Sequence, residues 1–97
     1  MTAYLVARVD VHDMEQYQHY TALSPAAIAA FGGEFIVRGG DKLTLEGPEE
    51  SRRMVIVRFP SMEQARACYE SEQYQAAKAK RDGAATAQFV VLAGYDG

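Results

Sequence analysis

The sequence predicts an α+β chain in the order βαββαβ, with one antiparallel sheet and helices on one of its faces. Three observations carry this. Two segments, YLVARVDV and RRMVIVRF, alternate with the period of a strand. Each is followed by a capped helical stripe. Glycine pairs and prolines then close those stripes and return the chain to extended segments. At 97 residues the chain is expected to form one domain, 1–97.

The first strand is expected over 4–11. Leu5, Ala7, Val9 and Val11 make one apolar face, and Tyr4, Val6, Arg8 and Asp10 the other. Asp13 is a suitable N-cap, and Gln16 stands at the capping-box position. The helix behind them presents Met14, Tyr17, Thr21, Ser24, Ile28 and Phe31, flanked by Tyr20, Leu23 and Ala27. Pro25 predicts a kink, or a second helix capped by Ser24, and Gly32-Gly33 predicts the stop. Strand two is expected over 34–38. Gly39, Gly40 and Asp41 form a turn, and 42–46 returns as a short antiparallel arm. Strand three runs over 52–59 and ends at Pro60. Ser61 caps a helix whose Met62, Ala65, Cys68 and Tyr69 face inward. Ser71 starts another, with Tyr74, Ala77 and Arg81 aligned, and Gly83 stops it. The last strand is expected over 87–93.

Two split βαβ halves of this kind make a ferredoxin-like layer. Strands one and three are expected as central neighbours running parallel. Helices cover one sheet face only, which leaves Tyr4, Val6, Met54 and Ile56 among Arg8, Asp10 and Arg58 on the other. An apolar face of that size predicts a homodimer, two sheets stacked through their open faces into an α/β barrel. Arg8 and Arg58 are expected at similar depth. A buried guanidinium needs an anionic neighbour. That neighbour is either a carboxylate (Asp10, Glu34 or Glu46) or a small anionic ligand in a cavity between sheet and helices.

Asp10 and His12 are the candidate proton-transfer residues, since they share a face with Arg8 and histidine titrates near neutral pH. His12, at a strand end, and His19, off the helical stripe, also read as surface residues. Tyr17, Tyr20, Tyr69 and Tyr74 are candidates to line the cavity, offering ring surface and hydroxyls. Arg38, just ahead of the turn, is a candidate ligand-binding residue.

Ten basic and thirteen acidic residues give a net charge of −3. The basic residues are scattered, which argues against nucleic acid as partner. No apolar run reaches the length of a membrane span. The single Cys68 excludes an internal disulfide, and with no secretory leader read it predicts a cytoplasmic setting. Two histidines without a carboxylate cluster predict no metal site. No nucleophilic triad, phosphate loop or dinucleotide motif occurs, so no cofactor is expected.

The run GGEFIVRGG, then LEG and RRMVIVRFPS, then CYESEQYQAAKAKR resembles a family of domains of unknown function in the dimeric α/β-barrel superfamily. The resemblance spans nearly the whole chain and rests on Gly32-Gly33, Arg38-Gly39-Gly40, Glu46-Gly47, Arg53, Phe59-Pro60, Tyr69, Ser71, Tyr74 and Arg81. The sequence departs from the family's pattern at Cys68, where tryptophan is usual, and at Glu72, where proline is usual. The resemblance implies the dimeric barrel and, because the family motif holds Arg38 together with Glu46, a pairing of these two across the hairpin as the alternative to ligand binding by Arg38. The wider superfamily includes cofactor-free monooxygenases, haem-degrading enzymes, isomerases and ligand sensors, so it implies no single reaction.

Two functional readings follow. In one, the protein is a cofactor-independent enzyme acting on a small anionic or aromatic molecule, held by Arg8, Arg58 or Arg38. In the other, it is a non-catalytic ligand-binding or assembly module with the same cavity.

Overall fold

The computed structural model describes residues 2–95; Met1, Asp96 and Gly97, which belong to the expected domain, lie outside the described residues. Seven elements follow one another: β1 (Ala3–Val11), α1 (Met14–Ala30), β2 (Glu34–Arg38), β3 (Arg53–Phe59), α2 (Met62–Glu70), α3 (Glu72–Ala79) and β4 (Ala85–Ala93). The sheet order is β2-β3-β1-β4, the ferredoxin-like βαββαβ arrangement.

Every strand pair is antiparallel, including β1 with β3. The expected parallel pairing of strands one and three is therefore corrected. Crossing over α1 brings β2 back in the direction of β1, and the β2–β3 reversal then sends β3 the opposite way.

The alternation in β1 and β3 sorts as the sequence implies. Leu5, Ala7, Val9, Val57 and Phe59 are buried beneath the helices. Tyr4, Val6, Met54 and Ile56 are half-buried on the uncovered face, joined there by Val90 and Leu92 of β4.

Helix α1 runs unbroken through Pro25, so no second helix begins at Ser24. Its buried stripe is Tyr17, Tyr20, Ser24, Ala27 and Ile28; Met14 and Leu23 are exposed, as is Met62 in α2. Both capping-box glutamines act beyond their own helices. Asp13 and Ser61 accept from the backbone N–H of Gln16 and Gln64 as expected. The Gln16 side chain, however, donates to the carbonyls of Lys80 and Asp82, and that of Gln64 to Phe31. Carbonyls left free at one helix's C-terminal end are thus satisfied from another helix. Gly33 lies so close to Ile28 and Phe59 that a Cβ there would come within 2.5 Å and 2.8 Å of their side chains, fixing where β2 enters the sheet.

Residues 42–46 do not return as an antiparallel arm. The chain from 40 to 52 is non-strand, and within 40–49 no described residue joins a backbone–backbone hydrogen bond. No helix among the described residues is long and apolar enough to cross a membrane.

Candidate functional site

Between the inner sheet face and the helices lies a narrow cavity with about 40 Å³ of room for water centres, enough for a few waters. Its walls are Leu5, Ala7 and Val9 of β1, alternating residues of β3, and the buried stripes of α1 and α2. Tyr17, Tyr20, Tyr69 and Tyr74 all line it, and so does Arg38.

Arg38 reaches the cavity through a β-bulge. Phe35 is opposite Val57 and Arg38 opposite Val55, with a register shift between Phe35 and Val37. Simple alternation would turn Arg38 to the open face; the extra residue re-aims it inward. Its guanidinium stacks on Phe35, 4.5 Å from the ring centroid, and donates to the Thr21 carbonyl at 3.4 Å. That carbonyl is available because Pro25, four residues on, has no N–H to bond it within the helix. The expected Arg38–Glu46 pair is absent among the described ion pairs, and Glu46 is exposed in the loop.

Arg53 lies opposite Val9 at the start of β3, facing inward. Its Nε is buried without a partner. The guanidinium packs against Gly39, where a Cβ would lie 2.3 Å from Nη1. Gly39 also has φ +69°, so its backbone conformation favours glycine, and a Cβ there would push the Arg53 tip aside. Arg81 is buried behind the tyrosines, its Cζ 5.0 Å from the Tyr20 ring and 5.2 Å from that of Phe89. Its Nε is likewise unpartnered.

The phenols form a connected group. The Tyr20 and Tyr74 hydroxyls are 2.5 Å apart, and Tyr17–Tyr20 and Tyr69–Tyr74 are both in ring contact at 5.4 Å. Burial, then the Tyr20 phenol, pushes the Tyr74 pKa up, against the pull of Arg81. Burial, then Tyr20, raises Tyr17 as well, opposed by Arg53 and Arg81. Burial also lifts the Cys68 thiol to about 11. At neutral pH these groups are therefore protonated. No carboxylate or imidazole lines the cavity. The site offers cations and neutral hydrogen-bond donors, which suits an anion.

The remaining sequence candidates lie elsewhere. Arg8 and Arg58 both point to the open face, but not at similar depth. Arg58 is opposite Tyr4 and Arg8 opposite Met54, which separates them by about 13 Å along the strand at roughly 3.3 Å per residue. Sequence parity fixed their side and left their distance open. Each has its own carboxylate: Glu50 for Arg8 and Glu34 for Arg58, both at 3.2 Å. Glu50 also accepts from Arg52, and hydrogen bonds from Arg52 lead the contacts that hold its carboxyl down at about 2. Asp10 is exposed on the open side, opposite Thr86. His12 is exposed beyond the strand end, its Nε2 2.9 Å from the Thr86 hydroxyl. Neither lines the cavity. No group of three or more His, Cys, Asp or Glu side chains assembles among the described residues.

Arg53 and Arg81 are the residues that site prediction missed. Both carried a signal. Arg53 shares parity with Val55, Val57 and Phe59, and Arg81 continues the Tyr74–Ala77 stripe. A charged residue on a buried stripe is the informative exception.

The chain belongs to the family described as Domain of unknown function (DUF1330), whose model matches residues 2–95. No curated protein matches it. Among solved structures it is similar to the RPA0582 protein of unknown function from Rhodopseudomonas palustris, at 21% identity and TM-score 0.76, covering 99% of this chain and 84% of that one. A dimeric ferredoxin-like protein of unknown function from Jannaschia sp. CCS1 matches at 15% identity and TM-score 0.73, covering 97% and 100%. SnoaB, a cofactor-independent oxygenase from Streptomyces nogalater, matches at 14% identity and TM-score 0.70, covering 99% and 95%. At these identities the likeness establishes the fold.

Proposed function

We propose that this protein is a cytoplasmic homodimer joined through its open sheet faces, and that each cavity widens from its few-water volume to bind a small organic anion with an aromatic or unsaturated body. One observation carries the reading. Arg38, Arg53 and Arg81 gather around a tyrosine-lined cavity with no carboxylate among them, whereas Arg8, Arg52, Arg58 and Arg66 each have a glutamate partner. Arg81 is buried and Arg53 half-buried, each with an unpartnered Nε, and a guanidinium held so without an anion is costly; a ligand carboxylate, enolate or phenolate would relieve it. Arg53 and Arg38 take the anionic end, and Tyr17, Tyr20, Tyr69 and Tyr74 supply ring contacts and donors.

As an enzyme the protein would be cofactor-independent, its arginines stabilising an enolate or phenolate. The dimeric Jannaschia protein and the oxygenase SnoaB share the fold, which lends support to the dimer and to this chemistry. The alternative, a non-catalytic binding module, is favoured by a specific feature: no group lining the cavity accepts a proton at neutral pH, so a substrate must arrive ionised or lose its proton to solvent.

The test is calorimetry against a panel of small carboxylates and phenols, with sedimentation reporting the oligomer. Arg53→Ala is expected to weaken the best binder by about 10- to 100-fold, the size of one or two lost charge-assisted hydrogen bonds. Arg58→Ala should leave it within twofold and the dimer intact. Equal losses in both variants, or no binder in the panel, would sink the reading. Oxygen uptake with the ligands that bind separates enzyme from binding module.

A further inference from the structure

The helices do not cover the whole inner face of the sheet. Ala85, Ala87, Phe89 and Val91 point inward from the edge strand β4, yet each is only half-buried, whereas Leu5, Ala7 and Val9 of neighbouring β1 are buried. The uncovered strip is the floor of an open groove of about 800 Å³ between β4 and the helices α2 and α3. Small-molecule sites occupy roughly 300–1,000 Å³. The floor is apolar throughout: Ala87, Phe89 and Val91 follow one another over about 13 Å, at roughly 3.3 Å per residue. The Tyr69 and Phe89 rings, 6.1 Å apart between centroids, line both this groove and the tyrosine-lined cavity and form the partition between them.

Topology gives the groove a basic end and an apolar end. Helix α3 leads directly into β4, with the Ala84 N–H bonded to the Arg81 carbonyl, so Lys78 and Arg81 stand where β4 begins. Met62 opens α2 just after Phe59, which lies opposite Ala3, itself opposite Ala93, so Met62 stands where β4 ends. Arg81 is 8% exposed and its Nε has no partner. Only ring faces and the phenols of Tyr20 and Tyr74 meet its charge. Lys78 has no carboxylate within ion-pair distance among the described residues, whereas Arg66 on the α2 rim is bound to Glu70. Glu63 stands beside Met62 on the rim of the apolar end, where it disfavours an anion.

We propose that this groove is a second ligand site, separate from the cavity, and that it takes a medium-chain fatty acid, with its carboxylate at Lys78 and Arg81 and its chain along Phe89 and Val91 toward Met62. Charge and shape select this occupant. The two uncompensated cations sit together at one end, which suits a single anionic head. Beyond them the floor carries no hydrogen-bonding side chain, so the rest of the ligand is held by burial of apolar surface alone. The floor is one row of side chains wide, which fits an unbranched chain. A peptide strand would need main-chain partners, and the face of a sheet presents none, because its N–H and C=O groups lie in the sheet plane.

Calorimetry on the full chain with hexanoate, octanoate and decanoate, each below its micelle concentration, tests this, with decanol as the uncharged control. Affinity is expected to rise about two- to fourfold per added CH₂, and decanol to bind at least tenfold more weakly than decanoate. Lys78→Glu should weaken decanoate at least tenfold. Met62→Glu, a change at an exposed position, should weaken decanoate at least fivefold while leaving hexanoate within twofold. Arg53→Ala should leave decanoate within twofold, so the groove stands or falls apart from the cavity. Affinity that is flat with chain length, decanol that binds as well as decanoate, or indifference to Lys78→Glu overturns the proposal. An equal loss in Arg53→Ala places the chain in the cavity and overturns the separate site. No binding by decanoate, with Met62→Glu dissociating a dimer in sedimentation, assigns the groove to a second copy of the chain and also overturns it.

Discussion

The two faces of this sheet treat the same residue type in opposite ways. On the open face, Arg8 and Arg58 each meet a glutamate at 3.2 Å, with water still in reach. On the inner side, Arg38 and Arg81 lie over aromatic rings and Arg53 against a glycine, with no glutamate or aspartate in the cavity wall. Ring faces offset part of the cost of burying Arg81 without neutralising it, Arg53 is half-buried with its Nε unpartnered, and Arg38, though stacked on Phe35 and bonded to a helix carbonyl, remains exposed. The open face has a different deficit: its charges are satisfied and its apolar residues are not. One side is short of an anion, the other short of a cover.

The largest test of this contrast is steric. Phe59→Ala, on the covered face, is expected to cost about 3–5 kcal/mol by denaturant unfolding, as for other fully buried aromatics. Next, Tyr74→Phe strands the Tyr20 hydroxyl and should cost about 1–3 kcal/mol. Gly39→Ala should cost about 1–2 kcal/mol for its positive φ and also weaken anion binding by displacing Arg53, coupling a loop glycine to the cavity. At the small end, Glu34→Gln should cost under about 1 kcal/mol and leave ligand affinity unchanged, because the Arg58–Glu34 pair is solvent-exposed. A large effect there would break the contrast.

The Glu50 carboxyl gives the contrast a pH signature. Its pKa falls from 4.5 to about 2, chiefly through hydrogen bonds from Arg52. A depressed carboxylate stabilises the fold above its unfolded pKa and loses that contribution as pH falls through the folded value. Thermal unfolding of wild type and Glu50→Gln should therefore differ at neutral pH and converge between about pH 4.5 and 2. A difference that persists at pH 2 would assign the effect to something other than this charge.

Much of the fold was legible because alternation and capping are local. The faces of β1 and β3 and the caps Asp13, Ser61 and Ser71 all follow from period and spacing, whereas which inward tyrosines reach a cavity does not. What escaped is non-local. Strand direction depends on the crossover rather than on any residue in β3. The register that parts Arg8 from Arg58 is a property of two strands together. The face that Arg38 takes is set by a single bulged residue, which no local pattern marks. Arg53 and Arg81 were readable, since each is a charge on an otherwise buried stripe.

Pro25 would ordinarily be taken as a flaw in α1. Because its ring withholds a proton from Thr21, it creates a vacant acceptor on the side of the helix that looks toward β2, and Arg38 occupies it. Replacing this proline with alanine would mend the ladder and tighten the helix while casting the guanidinium adrift, so a better scaffold would come at the expense of a fixed cation at the cavity mouth.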